Sequence, residues 1–275
     1  MSDSDDGGGT FEVVNVEIDL DEDPAHYAPI FIAARDGDVQ AMRAELASGV
    51  DPNLRDPHFH ITPLHVIVAN RVDAAGNIYS ERCPNEPRLI ECTRLLLDAG
   101  ADPTCPVPFT YSGQTTFKLV YEAVSHDHHE ILAMLLEAGA GAVVNDTGGS
   151  GWTALAQAAR SGHMECLHLL LAAGADVNLR VQNDALDLSP LEMAIRWDDD
   201  GDLRRVFPVL LRAGAAIPNV TDPYLRKVKA AGGFAAYERA HRLRLATILA
   251  RVVFPRLPLE MVSHVVAFGC HAGDY

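Results

Sequence analysis

Five consecutive residues, His126, Asp127, His128, His129 and Glu130, hold the densest run of reactive side chains in this chain. Imidazoles and carboxylates are the ligands of zinc and iron centres, so a metal site is one reading of the run. Catalysis by a nucleophile needs a different set: a Ser, Cys or Lys beside a base, and a third group that orients the base. His65, within Thr62-Pro63-Leu64-His65, has no such companions in the sequence around it. Gly7-Gly8-Gly9 is neither followed by lysine nor preceded by a strand pattern, so it lacks the parts of a phosphate-binding loop. Gly148-Gly149-Ser150-Gly151 reads as a turn. The cysteines (Cys83, Cys92, Cys105, Cys166 and Cys270) are odd in number and form no CxxC pair, as reduced, packed thiols of a cytosolic or nuclear protein would be. These residues assign no catalytic group, no cofactor and no resident metal.

The elements that would carry these residues repeat. LLLDAGADP at Leu95 to Pro103 returns as LLEAGA at Leu135, LLLAAGADVN at Leu169 and LLRAGAAIP at Leu210, with a weaker copy, ELASGVDPN, at Glu45. A period of this order marks stacked units, each covering its neighbour's apolar face. The fullest unit is GWTALAQAARSGHMECLHLLLAAGADVN from Gly151. Thr153 is placed to cap a first helix, Leu155, Ala158 and Ala159 follow at helical spacing, and Gly162 ends it. A second helix carries Cys166, Leu167, Leu169, Leu170 and Leu171 and closes at Gly174, where a left-handed residue satisfies the last carbonyls. The small alanines of the first helix permit close approach of the next unit.

Composition sets outer limits. With 275 residues and 48% hydrophobic content the chain can bury a substantial core. A net charge of −16 argues against nonspecific nucleic-acid binding, which needs a basic surface. The negative charge is concentrated: residues 1–34 hold nine Asp and Glu and no Lys or Arg, whereas residues 221–256 are rich in Arg and Lys. The N-terminus shows no secretory signal pattern. The longest apolar candidate for a membrane span, Leu245 to Gly269, is interrupted by Arg251, Pro255, Arg256 and Glu260.

The chain resembles the ankyrin-repeat family. The resemblance rests on TPLH at Thr62 to His65, GxT at Gly113 to Thr115 and Gly151 to Thr153, AARxG at Ala33 to Gly37, AARSGHxE at Ala158 to Glu165, and the recurring LLxAGAD. It implies an all-α solenoid of stacked helix-turn-helix units with β-hairpin or loop fingers and a C-terminal helical cap. Five repeats are expected, at 27–56, 57–104, 110–146, 147–180 and 184–218. The second carries an insertion at 71–88, and the third a lengthened first helix or turn at Val124 to Glu130. Residues 1–26 form an acidic N-terminal arm expected to be disordered, and residues 219–275 the cap. In this frame HHEIL at His128 to Leu132 falls where family members carry GHxEI, as His163 does in SGHMECL. The resemblance therefore gives this histidine a bond to the neighbouring loop rather than to a metal.

Most family members bind other proteins, through the finger tips and the exposed face of the first helices. Carried over residue by residue, the tip positions are Ile61, Gln114 and Trp152. The residues ending the first helices include Asn70, Arg160, Arg196 and Trp197, and Phe59 and Tyr111 lie further back on the projecting segments. Aromatic and arginine side chains are the types enriched at binding hot spots. The expected function is a non-enzymatic scaffold for a partner protein. Asn178, in ADVN, matches an asparagine that can be hydroxylated in animal family members, the alternative being a bond within its own turn. Beyond Pro218, Phe234 to Val252 follows helical spacing, and LPLEMVSHVVAF resembles an F-box opening. That second resemblance supplies an alternative function, a substrate adaptor of a cullin-type ubiquitin ligase.

Overall fold

A computed structural model describes residues 28–57, 60–69, 86–105, 107–109, 115–148, 151–180, 187–219, 222–252, 258, 260–263 and 266. The expected acidic arm, most of the inserted loop, Phe59, Asn70, Tyr111, Gln114 and half of LPLEMVSHVVAF lie outside these residues. Ten helices form five antiparallel pairs: α1 (Pro29–Asp36) with α2 (Val39–Ala47), α3 (Pro63–Ala69) with α4 (Glu86–Asp98), α5 (Leu119–Ser125) with α6 (His129–Glu137), α7 (Ala154–Ser161) with α8 (Met164–Ala172), and α9 (Pro190–Arg196) with α10 (Val206–Arg212). Two more, α11 (Pro223–Ala230) and α12 (Phe234–Val252), follow the last pair. One two-stranded hairpin, β1 (Val107–Phe109) against β2 (Thr115–Phe117), projects between α4 and α5.

Local chemistry explains where the helices begin and stop. Asp38, Thr153, Ser189 and Asp222 accept hydrogen bonds from free N–H groups of the first turn, and Ser189 forms a reciprocal capping box with Glu192. Pro29, Pro190 and Pro223 occupy first-turn positions, where the missing N–H costs nothing. At the other end of the second helices, Val50, Ala101, Ala175 and Ala215 each donate their N–H to the carbonyl five residues earlier. This closes the helix around the glycine of the AGA motif.

The pairs stack by layers. Each first helix packs on the next, α1 on α3, α3 on α5, α5 on α7 and α7 on α9, while α2, α4, α6 and α8 form the outer layer in the same order. No helix in the stack could bury its apolar face alone. Ile30, Leu64, Ile67, Leu89, Leu96, Leu132, Leu135, Leu155, Leu167, Leu170, Leu191 and Leu210 are all essentially inaccessible and belong to one continuous core. Ala154, Ala156, Ala158 and Ala159 of α7 are likewise buried, so the closest helix contacts fall where side chains are smallest. Beyond repeat five, α12 packs on α10 and α11, and Phe234 and Tyr237 lean on the core's end. The far half of α12 builds a separate small cluster, Ala246 with Val262 and Val266.

Two details differ from the sequence reading. Helix α4 already begins at Glu86, inside the segment expected to be inserted loop, because Glu86 to Arg88 supply its first turn. The third repeat has no lengthened helix: α5 stops at Ser125, and Asp127 takes a left-handed backbone (φ 55°) that turns the chain into α6 as glycine does elsewhere. No helix among the described residues is long and apolar enough to cross a membrane.

Candidate functional site

Some of the residues that first suggested chemistry join repeats, and others bond within one. His163 Nδ1 lies 2.8 Å from the carbonyl oxygen of Val124 in the preceding unit, the interaction implied for this position. Cys166 points its thiol at Asp127 Oδ1, 3.6 Å away, and burial together with that carboxylate pushes the thiol well above its ordinary range. His126 faces Glu122 at 3.9 Å. Among the described residues, no group of three His, Cys, Asp or Glu side chains is gathered as metal ligands would be. His65 Nδ1 sits 2.7 Å from Thr62 Oγ1. Burial, and secondarily Arg55, holds its pKa down at about 3, which keeps the ring neutral inside the stack.

The asparagines of the finger roots form a recurring bridge. Asn53 donates from Nδ2 to the Gly100 carbonyl (3.0 Å) and accepts at Oδ1 from the Asp102 N–H (2.7 Å). Asn178 does the same three pairs further along, to the Gly214 carbonyl (3.2 Å) and from the Ala216 N–H (2.8 Å). Asn145 accepts from the Asp176 N–H (2.8 Å). Asn178 therefore spans two repeats rather than closing only its own turn.

Four of the expected partner-binding residues come together. Trp152, just before the cap of α7, and Trp197, at the end of α9, have ring centroids 6.0 Å apart. The Arg160 guanidinium lies over both indoles, 5.1 Å from the Trp152 centroid and 5.4 Å from that of Trp197. Arg196 covers Trp197 from another side at 5.5 Å. Each such contact contributes about 0.5–2 kcal/mol depending on desolvation, and together they restrain the Arg160 guanidinium. Trp152 is buried against Ala156 and Met193, Trp197 and Arg160 are half-buried, and Arg196 is exposed.

Ile61 is a correction. It is 2% exposed and part of the main core, because the chain entering α3 turns its side chain inward. It is not available as a tip. Tyr121, on α5, was missed by the motif reading and packs on the Trp152 cluster. Matching the helix caps Lys118 and Thr153 would have found it, since Tyr121 falls where α7 has Ala156. Its ring lies so close to Gly148 that a Cβ there would be 2.7 Å from Tyr121 Cγ. The Gly148 N–H in turn donates to the Trp152 carbonyl, and Thr147 bridges Thr153. The glycine thus sets the indole's position from the turn below it.

Comparison with known families identifies the architecture. A family model for ankyrin repeats in three copies matches residues 83–181 and again 120–221, together half of the chain. Ankyrin repeats are in general protein–protein interaction modules rather than enzymes. With its helix pairs, inter-repeat asparagine bridges and AGA turns, this chain belongs to the ankyrin-repeat family.

Proposed function

We propose that the chain is a non-enzymatic interaction module that holds a partner protein on the face formed by α5, α7 and α9. The observation carrying this reading is the ledge of Trp152, Arg160, Arg196 and Trp197, with Tyr121 beside it. Aromatic and arginine side chains are the types enriched at binding hot spots, and a ledge already restrained by its own stacking loses little freedom on binding. The adaptor alternative rests on residues 254–270, of which few are described. Those that are include Val262 and Val266, whose side chains are buried against Ala246 of α12, as a capping role requires.

The test is site-specific photo-crosslinking in cells. A crosslinking residue at Ser161, at the open end of α7, should capture one defined partner, while the same residue at His168, on the outer face of α8, should not. Adding Trp197→Ala, with helicity checked by circular dichroism, should cut the Ser161 product several-fold. Equal capture from both positions, or capture unaffected by Trp197→Ala, would place the partner on another surface.

A further inference from the structure

We infer that the ledge recognises an extended acidic segment of its partner, with an Asp or Glu carboxylate seated on Arg160. This rests on the inner face being the docking surface. The donors are in place and unused. Trp152 is 8% exposed, yet its buried Nε1–H has no acceptor among the described residues, and the buried Nε–H of Arg160 has none either. A buried donor without an acceptor costs about 1–3 kcal/mol, so a ligand acceptor that displaces the side chains covering these atoms recovers that energy. Two orphan donors on one ledge ask for an acceptor-rich group. Gln157, one turn into α7, has the converse, a buried Oε1 with no donor among the described residues.

Charge points the same way. Arg43, Arg180, Arg204, Arg212 and Arg242 each pair with a carboxylate within 4 Å. Among the described residues neither Arg160 nor Arg196 does, although the chain carries an excess of acid. Asp198, the nearest acid along the chain, is engaged by Arg204 at 3.5 Å and by the Leu203 N–H at 2.8 Å. A guanidinium held over two indoles is a fork of the kind that takes a carboxylate. A phosphate would also fit a fork. Its near-double charge is penalised more by the exposed Asp199 and Asp200 that follow Trp197, which favours the carboxylate.

The purified full-length chain carries its own reporter, because its two tryptophans are Trp152 and Trp197. Retention on immobilised random peptide pools, with the central residue fixed as Glu, Gln, Lys or phosphoserine, measures the preference. Peptides eluted from each pool are then titrated against indole emission. The Glu pool should retain the chain about ten-fold better than the Gln or Lys pool, as a charge-assisted bond implies, and its peptides should shift the emission. Arg160→Gln should abolish the preference with circular dichroism unchanged, and Arg160→Lys should restore only part of it. A preference for Lys or phosphoserine, equal retention on Glu and Gln, or no retention at all overturns the inference. If peptides shift the emission without charge preference, the ledge remains the docking face and only its chemistry is wrong. If acidic peptides bind with the emission and the Arg160→Gln variant unaffected, both readings fall and the acid-binding surface lies elsewhere.

Discussion

Replacing Asn178 by Ala tests whether the asparagine bridge holds the repeats together. The substitution removes the Nδ2–H bond to the Gly214 carbonyl and the Ala216 N–H bond to Oδ1, and it leaves the backbone bond from Asn178 N–H to Asp176 intact. A net hydrogen bond contributes about 1 kcal/mol, and the freed groups here are exposed and can turn to water, so the loss should be about 1–2 kcal/mol. Asn178→Asp keeps the acceptor and loses the donor, and should cost roughly half as much. In a stack, stability is a sum of unit and interface energies, so the loss falls on the joint between repeats four and five. Urea unfolding followed by circular dichroism reads the total. Amide exchange at Ala216 reads the joint and should quicken about ten-fold for each 1.4 kcal/mol. Asn53→Ala, which breaks the equivalent pair to Gly100 and Asp102, should cost the same, and the two losses should add. A change below about 0.3 kcal/mol in both variants, with exchange at Ala216 unaltered, would refute the bridge as a source of stability.

Three further outcomes follow from the same contacts. His65 has its folded-state pKa depressed to about 3 from 6.5, so the native state binds fewer protons than the unfolded chain between those values. Its stabilising contribution is complete above pH 6.5 and falls as pH drops toward 3, at up to about 1.4 kcal/mol per pH unit. His65→Asn, compared by urea unfolding between neutral and mildly acid pH, should flatten that slope; an unchanged slope would remove His65 as its source. Gly162 caps α7 at φ 70°, and an added Cβ would meet Leu203 Cδ2 at 2.9 Å, so Gly162→Ala should destabilise by about 1–3 kcal/mol in thermal or urea melts. Leu167→Ala, at a fully buried core position, should cost about 2–5 kcal/mol by the same measurement, and a loss under 1 kcal/mol would mean the joint collapses around the gap.

Much of the scaffold was readable because its rules are local. Thr153, Ser189, Asp38 and the AGA glycines fix helix ends through bonds made within a few residues. The leucines of the second helices declare a buried face by spacing alone. Where local rules gave out, the reading slipped. Ile61 looked like a projecting tip from its place before Thr62, but its side chain turns into the core. Asp127 replaced a glycine at the turn into α6, so the third repeat read as irregular although its helices are of ordinary length. Tyr121 escaped because no motif marks it: only matching the caps of α5 and α7, or its contact with Gly148 in the folded stack, picks it out.

The sequence by itself determined the unit: two short helices, a left-handed stop and an apolar face too large for one repeat to hide. That much follows from periodicity and from the conformational limits of single residues. Only the tertiary structure decided that Trp152, Arg160, Arg196 and Trp197 share one ledge, and that Asn178 reaches a neighbouring repeat. Contacts between residues about 40 positions apart depend on how adjacent units settle against each other. That offset is set by packing around Ala156 and Met193, a contact no local pattern encodes.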